Sequence, residues 1–274
     1  EMTSLQGIMG GHYAHRSGEP DAVVTALGEQ YNPVSHSRPG LALALADRLD
    51  SLLGLFTVGL APKGSNDPFA LRRAALGIID SLVVNQQSLD LRVALRAAAK
   101  LLPVPGDDAA IAAVLTFMQG RQEGLLREQG LPATVVRAAL AAQGHNPYAA
   151  SQAATALAEA IQAPDWQEVL EAYARCVRIT RQLQEALPVH VEALTVPAEH
   201  TLWAAYQAAA AVQDGTVSRL VQALRDMVPA ITAFFIDVLV MDDDLAVRQN
   251  RLGLLQHIAY LPRNVADFTQ LEGF

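Results

Sequence analysis

The stretch Leu41-Ala42-Leu43-Ala44-Leu45-Ala46-Asp47-Arg48-Leu49-Asp50-Ser51-Leu52-Leu53-Gly54-Leu55-Phe56-Thr57-Val58-Gly59-Leu60 decides the fold. Apolar residues at 41, 45, 49, 52, 53 and 56 recur at three- and four-residue spacing, the period of one face of an α-helix. The same bias runs outward through the chain, where 48 Ala and 38 Leu in 274 residues stand against 18 Gly and 14 Pro. Ala and Leu head the helix-propensity scale, so an all-α protein is expected. A β-sandwich or barrel would need more Val, Ile, Thr and aromatic side chains than the 5% aromatic content here. With 51% hydrophobic and 18% charged residues, disorder is excluded as the general state.

Turn-forming residues divide this helical pattern into unequal pieces. Residues 2–15 read as short and glycine-broken, and 20–31 as a helix with Pro20 in its first turn. Asn32 to Gly40 reads as a loop, and Asp67-Pro68 as a strong helix start, with Asp at the cap and Pro at the first helical position. That helix runs from Phe69 to about Val84, and another covers 88–102. Further helices are expected near 109–129, 132–143, 147–162, 165–187, 198–213, 215–226, 228–240 and 243–261. Pro103 to Asp108 and Pro188 to Glu199 read as boundaries, which gives three segments, 1–104, 105–193 and 194–274. The opening Glu1-Met2-Thr3, without a Met at position 1, is expected of a chain cut from something longer or of an expression scar.

Net charge is −8, from 20 Lys and Arg against 28 Asp and Glu. This argues against coating nucleic acid by bulk charge and leaves local basic patches open. The single cysteine, Cys176, excludes an internal disulfide framework and a cysteine-based zinc site, and a reducing, cytoplasmic compartment is expected. The apolar stretch 231–241 contains Asp237 and is too short to span a bilayer, so no membrane partner is expected.

Asp47 interrupts the apolar stripe, three residues before Asp50 and on nearly the same helix face. Two readings stand: a metal or catalytic carboxylate, or a buried Asp held by an arginine or a helix N-terminus. The second weighs more, because buried carboxylates are paired unless they bind metal. His12, His15 and His36 could complete a metal site with Asp47, yet their spacing matches no closed metal motif. The run Lys63-Gly64-Ser65-Asn66-Asp67-Pro68-Phe69-Ala70-Leu71-Arg72-Arg73 pairs a glycine turn with a capped helix and two arginines. It can be an anion site, or Arg72 or Arg73 can pair with Asp47, Asp50 or Asp67 and fix helix packing. Arg248, Asn250 and Arg251 are suited to phosphate and base edges. Against that, Asp244 stands four residues before Arg248, an orientation that supports a helix by ion pairing. Cys176 reads as a small half-buried side chain.

Several segments together resemble the β subunit of bacterial tetrameric glycyl-tRNA synthetase. They are Leu5-Gln6-Gly7-Ile8-Met9-Gly10, Tyr13-Ala14, Gly18-Glu19-Pro20, Tyr31-Asn32-Pro33, Leu45-Ala46-Asp47-Arg48-Leu49-Asp50 and Pro62 through Gly77. Near the other end the resemblance rests on Phe234-Phe235-Ile236-Asp237-Val238-Leu239-Val240-Met241, Arg248-Gln249-Asn250-Arg251-Leu252 and Ala266-Asp267-Phe268. It spans the chain, is strong at both ends and weak across about 103–190, and is most specific in the Lys63–Gly77 string.

The resemblance implies an N-terminally truncated, HD-like helical domain at 1–104, a helical linker or body region at 105–193, and at 194–274 a helical bundle resembling the anticodon-binding domain of arginyl-tRNA synthetases. The family joins glycine to its tRNA with ATP. The α subunit carries the adenylation site with ATP and Mg, and the β subunit recognises tRNA-Gly. The fragment itself is therefore expected to hold no catalytic residue, metal or cofactor, and to meet the α subunit through the full-length β subunit. Lys63, Arg72 and Arg73 would contact the tRNA backbone or hold the HD-like core together. Arg248, Asn250 and Arg251 would contact the anticodon stem-loop or order the helix that does. Tyr206, Phe234 and Phe235 are stacking candidates, the two phenylalanines more often core residues. Leu-Ala-Asp-Arg-Leu resembles the last ligand motif of metal-dependent HD phosphohydrolases, which makes a stand-alone HD-type phosphohydrolase the alternative. No His-Asp pair occurs in the sequence, so Asp47 reads as a degenerate HD-type position.

Overall fold

The structure, a computed structural model, describes residue 2, residues 5–104 and residues 106–274. Glu1 and Thr3 of the expected cut end, and Pro105 of the first expected boundary, lie outside the described residues. Among the described residues there are twelve α-helices and no β-strand, so the all-α expectation holds. In chain order they are α1 (Ile8–Arg16), α2 (Asp21–Glu29), α3 (Arg38–Thr57), α4 (Leu71–Val84), α5 (Leu91–Ala99) and α6 (Asp108–Glu128). Then follow α7 (Ala133–Gln143), α8 (Pro147–Ala160), α9 (Trp166–Thr180), α10 (Pro197–Ala211), α11 (Val217–Asp237) and α12 (Leu245–Tyr260). No described helix is long and apolar enough to cross a membrane.

The chain separates into two compact units, one of residues 1–129 with 144–151, the other of residues 130–143 with 152–274. The division falls inside the 105–193 segment. Packing explains this: α6 lies against α3, α4 and α5, whereas α9 lies against α11 and α12.

In the first unit, Leu49, Leu52 and Leu53 of α3 meet Leu71, Ala75, Ile78, Ile79 and Leu82 of α4. Leu91 and Leu95 of α5 and Ile111, Val114 and Met118 of α6 complete this core. Each fully buried aliphatic side chain stabilises the unit by roughly 1.5–3 kcal/mol relative to exposure. The α1 helix is continuous through Gly10 and Gly11 rather than broken. A Cβ on Gly11 would stand 3.2 Å from the Val24 carbonyl oxygen, so the glycine serves close approach of α1 to α2.

Helix starts follow local chemistry. Ser37 caps α3 through its hydroxyl, which accepts from Gly40 N–H at 3.1 Å, with Pro39 in the first turn. The helix therefore begins inside the expected 32–40 loop. Helix α4 starts at Leu71 and not at Phe69, because Ala70 sits in the left-handed region at φ 55°. Asp67 still caps it, accepting from Leu71 N–H at 2.8 Å and Arg72 N–H at 2.9 Å.

In the second unit, α10 packs on α11, and α9 packs on α11 and α12. Its core contains Leu170, Leu202, Leu220, Leu224, Phe234, Leu254, Leu255, Ile258 and Phe268. Trp166 and Tyr173 both meet the Phe268 ring edge-on, at 5.7 and 5.6 Å between centroids. The expected helices 215–226 and 228–240 form one helix, α11, which runs through Pro229. A proline removes one ladder bond, yet Val228, Ala230 and Ile231 are buried around it. Helix α9 ends at Thr180, earlier than the expected 187. Cys176 on α9 is fully buried rather than half-buried, and burial pushes its thiol up to about 12.

Candidate functional site

The first unit carries a cleft of about 600 Å³ whose lining gathers most of the quoted N-terminal segments. Gln6, Tyr31 with Asn32 and Pro33, Asp47 with Arg48, Phe69 with Ala70, Arg73, Gly77 and Asp80 all face it. Arg48 is the strut behind it. Its guanidinium donates to the Gly77 carbonyl at 3.2 Å and to the Asn32 carbonyl, joining α3 to α4 and to the loop after α2. A Cβ on Gly77 would stand 2.9 Å from Arg48 Cζ, so glycine leaves room for the guanidinium. Burial lowers the Arg48 pKa and neighbouring Asp47 opposes that shift. Asp80 on α4 is half-buried, burial raises its pKa, and its side chain makes no hydrogen bond or ion pair among the described residues.

Asp47 is exposed, so the expectation of a buried, arginine-bonded aspartate is wrong at this position. The apolar face of α3 turns inward at Leu49, Leu52 and Leu53 and leaves Asp47 and Asp50 outside. Arg73 is exposed at the cleft and has no described partner. Arg72 behaves differently. It donates to the Gly64 carbonyl and stands 3.8 Å from the Asp67 carboxylate, clamping the turn onto α4. That turn closes through paired backbone bonds between Lys63 and Asn66, and the Lys63 side chain is exposed.

No described imidazole lines this cleft. Among the described residues no three His, Cys, Asp or Glu side chains gather around one point. His36 lies instead at a separate hollow with Arg38 and Asn85.

The second unit uses its polar residues otherwise. Arg251 of α12 is buried, and so is Glu199 of α10. Arg251 Nε donates to Glu199 at 2.6 Å, and its Nη1 donates to the Leu239 carbonyl at 3.0 Å and to Asp242 at 2.7 Å. Glu199 also accepts from the Thr195 and Val196 N–H groups at 2.7 and 2.9 Å. Burial by itself would raise the Glu199 pKa; the Val196, Arg251 and Thr195 bonds outweigh it and hold the carboxyl below the usual range. Asn250 binds both backbone groups of His190, accepting at 2.7 Å and donating at 3.0 Å. Gln256 likewise accepts from Leu187 N–H and donates to the Glu185 carbonyl, both at 2.8 Å. Between them Gly253 lets the chain approach, since a Cβ there would stand 2.9 Å from the Pro188 carbonyl oxygen. Residues 185–190 are thus laid along α12 instead of extending α9.

Arg248 is half-buried and donates to the Asp242 carbonyl at 3.1 Å. The expected Asp244–Arg248 ion pair is not made, because Asp244 caps α12 by accepting from Ala246 and Val247 N–H. Phe234 is core. Phe235 is half-buried beneath Arg175. Tyr206 is half-buried and belongs to an aromatic group that composition alone did not reveal. Trp203 lies 5.3 Å from it and His257 meets it edge-on at 5.3 Å. Trp203 and Tyr206 are three residues apart on α10, a helical spacing that could have pointed to them; His257 on α12 could be placed there only by the fold.

A bundle of this kind defines the class: residues 169–266, from α9 through α12, match the DALR anticodon-binding domain. Residues 1–141, just over half of the chain, match the family described as glycyl-tRNA synthetase beta subunit, and the chain belongs to that family. It is 35% identical over 284 residues to an Arabidopsis thaliana protein named glycine–tRNA ligase, chloroplastic/mitochondrial 2, covering 100% of this chain and 27% of that protein. It is 35% identical over 295 residues to the glycine–tRNA ligase beta subunit of Acidithiobacillus ferrooxidans, covering 100% of this chain and 42% of that one. Against the beta subunit of Chromohalobacter salexigens it is 37% identical over 286 residues, 99% of this chain and 42% of that one. The chain therefore spans less than half the length of these curated relatives.

Proposed function

We propose that this chain is the tRNA-recognition portion of a glycine–tRNA ligase β subunit, acting in the cytoplasm on tRNA-Gly. The α subunit, reached through the full β subunit, uses ATP and magnesium to activate glycine. The observation that carries this reading is the half-exposed Trp203–Tyr206–His257 group lying within the region that matches an anticodon-binding domain. Unpaired anticodon bases are recognised by stacking on such rings and by hydrogen bonds to their edges.

Within the reading, Asn250 and Arg251 order α12, because their donors and acceptors are engaged inside the protein. Arg248 keeps N–H groups for RNA beyond its single described side-chain bond. Lys63 and Arg73 contact tRNA backbone, while Arg72 holds the HD-like domain together. Asp47 is a degenerate HD-type position, and the cleft beside it offers no imidazole ligand for an HD-type phosphohydrolase. The HD-like domain is placed in 1–104, whereas the anticodon-binding bundle starts earlier than the expected 194, since the matching region takes in α9.

A filter-binding titration of this chain with tRNA-Gly and with a non-cognate tRNA, at several salt concentrations, tests the reading. Tyr206→Ala should weaken tRNA-Gly binding by about 1–3 kcal/mol, the worth of one stacked base. Failure of the unaltered chain to bind either RNA at low salt overturns the proposal.

A further inference from the structure

In the second unit Arg175, Arg178, Arg181 and Arg263 are exposed and, like Arg137, have no carboxylate within 4 Å among the described residues. Three of them follow at three-residue spacing on α9 and at its C-terminal end, along about 9 Å of helix axis. Three of the four lie over aromatic rings. Arg175 Cζ is 4.3 Å from the Phe235 centroid, Arg178 is 5.6 Å from that of Phe274, and Arg263 is 3.3 Å from that of Tyr260. A guanidinium supported on a ring face keeps its N–H donors directed outward and loses little freedom on meeting an anion.

Arg181 and Arg263 also rim one cavity of about 420 Å³. The carboxylate in its wall, Asp267, is engaged with the N–H and hydroxyl of Thr269, at 3.0 and 2.7 Å. It makes no ion pair with either arginine among the described residues. On a chain of net charge −8, such a row of unpaired guanidiniums, most of them ring-supported, offers an extended anion several contacts.

We propose that Arg175, Arg178, Arg181 and Arg263 form a track for the sugar–phosphate backbone of RNA, with the Arg181–Arg263 cavity taking one phosphate. The track rests on the tRNA-binding reading and deepens it, since guanidiniums match phosphate oxygens in paired hydrogen bonds. It positions the RNA and carries no base information, leaving discrimination to the aromatic group around Tyr206.

The test is the salt dependence of tRNA affinity for the unaltered chain and for a variant with Arg175→Gln, Arg178→Gln, Arg181→Gln and Arg263→Gln together. Each lost phosphate contact lowers the slope of log affinity against log salt by about 0.7–0.9. The slope is expected to become shallower by roughly 3, with tRNA-Gly and non-cognate tRNA weakened by the same factor. The corresponding Arg→Lys variant should keep most of the slope, and thermal melting confirms that each variant is folded. An unchanged slope and affinity in the glutamine variant overturns the track while leaving the tRNA-binding reading in place. Selective loss of tRNA-Gly binding at constant slope overturns it too, because the arginines would then read bases. If the unaltered chain binds no RNA at low salt, both proposals fall.

Discussion

The cleft of the first unit and the α10–α12 junction of the second both combine arginine with carboxylates, and they use them in opposite ways. At the junction Arg251, Glu199 and Asp242 satisfy one another together with three backbone groups, and Arg251 and Glu199 are buried. At the cleft Asp47, Arg73 and Asp80 lie within one hollow and none of their side chains has a described hydrogen-bond partner. Ala70 in the same wall holds a left-handed conformation that costs a non-glycine residue roughly 1–2 kcal/mol. Charges that close on each other specify a packing, whereas charges left open beside a strained turn remain available to a ligand. Similar residue types in two Arg-containing motifs thus acquire different roles from their surroundings.

The comparison breaks most visibly at Arg251. Arg251→Ala strands Glu199 inside the second unit, and the expected loss is about 3–5 kcal/mol, read as a fall in the denaturation midpoint. Combining Glu199→Leu with Arg251→Met should recover much of that loss, because an apolar pair of similar volume leaves no buried charge. A single variant that melts like the unaltered chain would show that the junction is no firmer than the cleft.

The same junction should be acid-sensitive. Glu199 has a folded pKa below the ordinary glutamate value of about 4.3, so the unfolded chain takes up the proton more readily. Its contribution is present above pH ~4.3 and is lost as pH falls through the lower folded value. Denaturant midpoints measured between pH 6 and 3 should fall less steeply for Glu199→Gln than for the unaltered chain. Equal slopes would remove Glu199 from the acid response.

The smallest effect belongs to the cleft. Arg73→Ala should change stability by no more than about 0.5 kcal/mol, as for a surface substitution without partners. A loss above about 2 kcal/mol would mean that Arg73 is a packing residue like Arg72, and the contrast between the two regions would be lost.

Much of the helical build was legible because it depends on local chemistry. The α3 stripe buried Leu49, Leu52 and Leu53 as the spacing required, and Asp67 capped α4 although the helix began four residues later. Arg72 pairing with Asp67 was one of the two readings open beforehand. The misreadings share a cause in distant partners. Residues 215–226 and 228–240 read as two helices, yet the core around them holds α11 as one. Residues 181–187 looked helical, but Asn250, Gly253 and Gln256 of α12 claim the chain that follows Thr180. Asp47 reads as interior because its apolar neighbours conceal which of two adjacent faces the core takes.

What the sequence alone determined was the all-α class, the Asp67 cap and the family, because propensity, capping and motif order act within a few residues of chain. What only the tertiary structure decided was which charges are free. Arg48, Asn250, Arg251, Arg73 and the α9 arginines are alike in hydrogen-bonding capacity, up to the difference between amide and guanidinium. Whether that capacity is consumed depends on groups 16 to 60 residues away in the chain, such as Asn32, Gly77, His190 and Glu199. Local patterns carry no information about such partners, since it is packing of the core faces that brings them within hydrogen-bonding reach.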